Sequence, residues 1–138
     1  MIRISKKYSF DSAHQLHRAD WTPEKNKQVF GKCNRLHGHT YTLEVEVEGP
    51  TDLLTGMVLN YFELDGIMKP LVEHFDHKML NEIFPSFLTT SENMVMAIAT
   101  EIQSNFVSVP YYLHRVTLSE TPKTTATGIA DTAENREF

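Results

Sequence analysis

The sequence predicts an α+β fold, an antiparallel sheet covered by helices on one side. Three observations carry this. Apolar residues alternate with polar ones at Ile2, Ile4, Tyr8 and Phe10 and again from His37 to Val47, the two-residue period of a half-buried strand. They recur at helical spacing at Leu64, Ile67, Met68, Leu71 and Val72, and at Val95, Ile98, Ala99, Ile102 and Phe106. Both helical stretches fall between two pairs of strands instead of alternating with them, which excludes a parallel α/β sheet.

Taken in order, the first strand places Arg3, Ser5, Lys7 and Ser9 opposite the apolar set, with His14 just past its end. Residues 15–32 are polar, broken by Pro23 and Gly31, and carry no period; they read as a long surface loop. In the second strand His37, His39, Tyr41, Leu43, Val45 and Val47 share one parity, so both histidines point with the apolar face. Gly49-Pro50 ends it. "TDLLTG" reads as a turn and "MVLNY" as a short returning strand, a hairpin. Asn60 and Glu63 resemble a capping box for a helix to about Glu73, with a kink or stop expected where Pro70 loses its bond to the Gly66 carbonyl. "TTSEN" starts the second helix, with Thr89 or Thr90 as cap and Glu92 in the first turn. Tyr112, Val116 and Leu118 mark a further strand whose parity Glu120 shares, and "KTTATGIAD" is a weak last one. The polar end "TAENREF" is the one candidate for disorder.

With 138 residues, 41% hydrophobic, the chain fits one domain spanning 1–138. A net charge of −5 argues against general binding to nucleic acid or anionic lipid. The single cysteine, Cys33, excludes an internal disulfide and suits a reducing compartment. No stretch has the length of a signal peptide or a membrane span, so a cytoplasmic location is expected.

His37 and His39 leave one strand face about 7 Å apart at their Cα atoms. Two imidazoles so placed can share one ion, or merely cap the end of an apolar stripe. His14 joins them if the first two strands pair. Three histidines without a fourth strong protein ligand describe a catalytic zinc with an open position. Cys33 is a buried inert thiol, or, with Lys32, Arg35 and a cation nearby, a thiolate fit to act as a base, or a ligand of the metal when substrate is absent. Asp76-His77 is a common surface pair whose interest depends on reaching Cys33. Glu120 ends a strand on the apolar side, where a carboxylate needs a basic partner such as His114 or a ligand with N–H donors. His17 and His74 read as surface residues.

The segments "FDSAH", "CNRLHGHTY", "GMVLNYFELDGIMKPL", "FDHKMLNE", "TTSENM" and "LSETP" occur in an order that resembles the 6-pyruvoyl-tetrahydropterin synthase family over roughly residues 8–122. The Cys-x-x-x-His-Gly-His spacing is similar to its bacterial branch, the 6-carboxy-5,6,7,8-tetrahydropterin synthases of queuosine biosynthesis. The resemblance implies a T-fold, in which a four-stranded antiparallel sheet carries two helices on one face and assembles through its edges into trimeric barrels and hexamers. It implies zinc on His14, His37 and His39, Cys33 as proton acceptor, Asp76-His77 as proton relay and Glu120 as anchor for the pterin ring. Thr90, Ser91 and Glu92 match a loop lining the pterin pocket. Asp76-His77 and Glu120 would belong to a site formed across subunits. Arg35, with Lys32, Lys25 or Lys27, would contact the triphosphate.

The implied substrate is 7,8-dihydroneopterin triphosphate, converted by a zinc-dependent carbon–oxygen and carbon–carbon lyase without a redox cofactor. In the queuosine branch the products are 6-carboxy-5,6,7,8-tetrahydropterin, triphosphate and acetaldehyde. The alternatives are 6-pyruvoyl-tetrahydropterin or a side-chain-cleaved pterin from the same site, a zinc hydrolase, and a non-catalytic pterin-binding protein. Two departures from the family pattern stand out: "TTATGIAD" is small and polar where the last strand often carries bulk, and "DWTPEKNKQ" resembles an insertion.

Overall fold

A computed structural model describes residues 1–129; the expected polar end and the close of the weak last strand, Ala130 and Asp131, lie outside them. Two 13-residue strands, β1 (Ile2–His14) and β2 (His37–Gly49), pair antiparallel along their whole length. β3 (Tyr112–Thr121) pairs with β2, and β4 (Thr124–Gly128) with β3, so the sheet order is β1-β2-β3-β4. Helices α2 (Tyr61–Phe75) and α4 (Ser91–Ser104) cover one face, α2 over β1 and α4 over β3 and β4. Between them lies a single turn, α3 (Leu80–Ile83).

Parity explains the core. Phe10, Ser12 and His14 of β1 are buried, as are Tyr41, Leu43, Val45 and Val47 of β2, against Leu64 and Met68 of α2, Met94, Val95, Ile98, Ala99 and Ile102 of α4, and Phe106 beyond its end. Each large apolar side chain among them, fully buried, contributes about 1.5–3 kcal/mol. The opposite face is polar, with Lys7–Glu44, Arg3–Glu48 and Arg115–Glu46 pairs whose solvent exposure makes them weak. Asn60 caps α2 by accepting from the Phe62 N–H, and Thr90 caps α4 by accepting from the Asn93 N–H.

Four expectations need correction. The loop of residues 15–32 contains a helix, α1 (Pro23–Phe30), followed by a 3-10 turn, Gly31–Asn34. Thr22 caps α1, Pro23 occupies its first turn where a missing N–H costs nothing, and Gly31 ends it at φ 57°. "MVLNY" forms no strand, because β2 already has β1 and β3 on its two edges; Val58 and Leu59 enter the core instead. α2 continues through Pro70 to Phe75. In β3 the bulge at His114 shifts the register between Glu46 and Val47, so Leu113 is buried and Tyr112 faces outward. His114 then approaches Glu48 at 3.8 Å, not Glu120.

Candidate metal centre

His14 is the last paired residue of β1 and stands opposite His37, the first of β2; Ser12 stands opposite His39. The backbone at Gly38 is tight, since a Cβ there would lie 3.3 Å from the Ser12 carbonyl oxygen. Ring centroids are 4.6 Å apart for His14–His37, 4.9 Å for His37–His39 and 5.3 Å for His14–His39. One nitrogen from each ring lies within 4.8 Å of the other two. The antiparallel register thus gathers three imidazoles that are 23 residues apart in the chain at their nearest approach from β1 to β2.

Backbone carbonyls decide which nitrogen faces inward. His14 Nδ1 lies 2.9 Å from the Thr89 carbonyl oxygen and 3.2 Å from its hydroxyl. A carbonyl only accepts, so Nδ1 carries the proton and Nε2 a lone pair. His37 Nδ1, 2.6 Å from the Arg35 carbonyl, is held in the same form. His14 Nε2 and His39 Nε2 are buried without a hydrogen-bond partner, a cost of about 1–3 kcal/mol for each such group. Nitrogens gathered this closely fit a divalent cation, with the second ring nitrogen of His14 and of His37 anchored as in metal-binding histidines. Burial, chiefly, lowers the His14 pKa to about 4, the neighbouring histidines adding to it and the Thr89 carbonyl opposing it. His39 is lowered mainly by burial, against the attraction of Glu120. Both are neutral at pH 7, as ligation demands.

Glu120 is brought to this cluster by its own chain. Its Oε1 lies 3.7 Å from His14 Nε2 and 3.9 Å from His39 Nε2. Tyr41 is fully buried beside the histidines with its hydroxyl unpartnered, and burial with the nearby Glu120 charge raises its pKa, keeping it protonated. Thr90, Ser91 and Glu92 open α4 next to Thr89, at the same end of the sheet as the histidines.

Cys33 is exposed in the 3-10 turn and lies outside the three-histidine set. The turn is nevertheless stitched to the chain just past His14: Leu16 N–H donates to the Cys33 carbonyl at 2.9 Å, Asn34 Nδ2 to the Leu16 carbonyl at 3.0 Å, and Gln15 Nε2 to the Asn34 carbonyl at 2.8 Å. Arg35, Lys25, Lys27 and Lys32 have exposed side chains, and the Lys25 ammonium sits 4.3 Å over the Trp21 ring. Asp76-His77 lies against the outer edge of β1, where the His77 N–H donates to the Asp11 carbonyl at 2.6 Å. Asp11 N–H donates to Asp76 Oδ1 at 2.8 Å, which with the His77 contact (2.8 Å) holds the carboxyl below its usual range. His77 takes φ 55°, uncommon for a non-glycine residue, and borders a cavity of about 580 Å³ with Asp11, Thr40 and His39.

Several supporting residues escaped sequence reasoning. Thr89 and the Arg35 carbonyl orient two histidines; Asn81 clamps Gln15 through two hydrogen bonds of 2.9 and 2.7 Å; Thr40 donates to Asp11, which in turn holds Asp76. The Tyr41 parity with His37 and His39 was the one readable signal.

Comparison with known proteins places this geometry. The 6-pyruvoyl tetrahydropterin synthase family pattern matches residues 3–129. The 6-pyruvoyl tetrahydrobiopterin synthase of Drosophila melanogaster is 38% identical, over 87% of this chain and 74% of its own. The solved structure of Caenorhabditis elegans 6-pyruvoyl tetrahydropterin synthase superposes with a TM-score of 0.86 at 33% identity, over 94% of this chain and 96% of its own. A dihydroneopterin monophosphate aldolase from Pyrococcus furiosus is 33% identical over 75% of this chain and 76% of its own. The eukaryotic synthases do not support the bacterial queuosine branch suggested by the Cys33–His37 gap, so the assignment stands at the level of the family. A matched pattern over nearly all described residues and a shared antiparallel sheet with its helices lead to one conclusion: this chain belongs to the 6-pyruvoyl tetrahydropterin synthase family.

Proposed function

We propose that this protein converts 7,8-dihydroneopterin triphosphate to 6-pyruvoyl-tetrahydropterin and triphosphate. The observation that carries the reading is the convergence of three imidazoles, two of them with a buried nitrogen that lacks a partner, in a chain related to synthases of that name. His14, His37 and His39 would hold zinc, which when bound supplies a Lewis acid that lowers the pKa of a coordinated hydroxyl. Triphosphate leaves with its proton, and hydrogens removed from the side-chain carbons end on the ring, so side-chain oxidation balances ring reduction and no oxidant is needed.

The chain's own residues divide the remaining work. Cys33 accepts the side-chain proton. Asp76 fixes the His77 ring through Nδ1, leaving its other nitrogen to pass protons. Glu120 accepts from the N–H groups of the pterin ring, and Thr90, Ser91 and Glu92 line its pocket. Arg35, with Lys25, Lys27 and Lys32, meets the triphosphate charge. Copies of the chain join through the outer edges of β1 and β4, which end the strand order, into trimer-based oligomers that bring Asp76-His77 of one copy to Cys33 of the next. No described helix is long and apolar enough to cross a membrane, which accords with a cytoplasmic enzyme.

A second reading rests on two observations, the three-residue gap between Cys33 and His37 and the Pyrococcus relative named as an aldolase. It keeps the site and, with one water taken up and triphosphate released, cleaves the side chain, giving acetaldehyde and 6-carboxy-5,6,7,8-tetrahydropterin, or else a shortened pterin. Mass spectrometry of products from purified, zinc-analysed protein decides. The expected product is the pyruvoyl pterin from wild type and none from Cys33→Ala. Acetaldehyde would install the second reading; full turnover by Cys33→Ala would replace both with hydrolysis; a wild type without turnover would leave a binding protein.

A further inference from the structure

Tyr41 carries a hydroxyl that the fold does not use. The residue is completely buried, and its ring stacks on Phe10 with centroids 5.0 Å apart and planes 14° from parallel, a contact that phenylalanine would make equally well. The hydroxyl, buried with the ring, has no hydrogen-bond partner. The rings of His14 and His39 meet Tyr41 edge-on, at 6.2 and 5.5 Å between centroids, without a hydrogen bond. Burying a donor in this way works against stability, so the oxygen weakens the fold that contains it. Glu120 presents the converse. Its carboxylate accepts no hydrogen bond from the described residues, and stands 3.7 Å from His14 Nε2 and 3.9 Å from His39 Nε2, beyond hydrogen-bond length. The ladder brings the two residues together. β2 and β3 pair as far as Thr42 opposite Ser119, so Tyr41 and Glu120 are the next residue of each strand, and both continue the inward face of the Leu43–Leu118 pair. The Glu120 charge acts on the Tyr41 hydroxyl. A phenol at neutral pH can donate, and a carboxylate has lone pairs for several donors at once.

We propose that Tyr41 is a positioning residue for Glu120: its hydroxyl donates to the carboxylate as that carboxylate turns to a ligand bearing N–H groups, fixing its direction and leaving the remaining lone pairs to the ligand. The ligand's identity as a pterin rests on the proposed function; the unused donor beside the unused acceptor does not. Only hydrogen bonds change in the process.

The test titrates bare pterin into the full, zinc-loaded chain as wild type, Tyr41→Phe, Glu120→Asp and the double variant, beside urea unfolding of chelator-treated protein. Tyr41→Phe keeps the ring and removes the oxygen, so its metal-free midpoint should equal or exceed that of wild type, and its zinc affinity should be unchanged. Its pterin affinity should fall on the order of 10- to 100-fold, the range for a hydrogen bond to a charged group. Glu120→Asp keeps the charge but withdraws it from the phenol, so in that background Tyr41→Phe should change pterin affinity by less than about 3-fold. A residue that merely packs would show the opposite set, a lower midpoint and the same loss in both backgrounds. Unchanged pterin affinity in Tyr41→Phe overturns the proposal, as does an equal loss in both backgrounds. A lowered metal-free midpoint or weakened zinc binding overturns it too, since the hydroxyl would then already be partnered by the fold or by an imidazole. A wild type that binds no pterin overturns the proposed function together with this role, whereas pterin bound equally by wild type and Tyr41→Phe overturns the role alone.

Discussion

Replacing His37 by alanine separates metal binding from folding. His37 is half-buried at the start of β2, and its Nδ1 bond is to a carbonyl that water can serve after substitution. The loss to the metal-free fold is therefore that of a near-surface change plus one hydrogen bond, about 1 kcal/mol or less. The loss to the metal is larger. Structural zinc sites bind with about 10–16 kcal/mol across four ligands, so one imidazole accounts for roughly 3–4 kcal/mol, or about 100- to 1000-fold in affinity. His14 would not separate the two effects, because it is 1% exposed and its removal also opens the core. The assay is competition with a chromophoric chelator at pH 7.5, beside urea unfolding of chelator-treated protein. Unchanged zinc affinity in His37→Ala would refute the three-imidazole site. A collapse of metal-free stability with no separate effect on affinity would show that His37 is a structural residue.

Acid should weaken the metal-free fold through His14. Its folded pKa of about 4 lies below its ordinary 6.5, so the unfolded chain takes the proton first; stability is full above pH 6.5 and falls by about 3 kcal/mol as pH drops toward 4. Urea unfolding at pH 7.5 and 4.5 should show this loss in wild type and a smaller one in His14→Asn; equal losses would remove His14 as the cause. Thr90→Ala should cost about 1 kcal/mol by uncapping α4, read as a lowered thermal midpoint, and an unchanged midpoint would show that the Asn93 N–H finds water instead. Gly66→Ala should stabilise by about 0.5–1 kcal/mol, since its added Cβ meets nothing within 4 Å inside a helix; a lowered midpoint would mean that Pro70 next door depends on the glycine.

Much of the fold could be read from the sequence because its signals are local and periodic. A strand shows its buried face in every second residue, so the parity shared by His37, His39, Tyr41 and Leu43 already aimed two histidines at the core, and four of the buried residues of α4, Val95, Ile98, Ala99 and Ile102, were legible in its stripe, while Met94 was missed and Phe106 lies past the helix end. The helix at Pro23–Phe30 carried its own signal in Thr22-Pro23-Glu24, a cap, a first-turn proline and an acid, but its lack of an apolar stripe concealed it. Long-range facts had no such trace. The bulge at His114 reverses the faces of Tyr112 and Leu113, and only pairing with β2 produces it.

The sequence by itself determined which side chains could bind a cation and which sheet face they would occupy, because residue identity and strand periodicity are properties of neighbouring positions. Tertiary structure decided how those side chains are used. It placed the carbonyls of Thr89 and Arg35 against the outer nitrogens of His14 and His37, and set the Glu120 carboxylate near the Nε2 atoms of His14 and His39. Carbonyl groups are identical at every residue, so only the folded path of the chain distinguishes the two that turn these imidazoles into ligands.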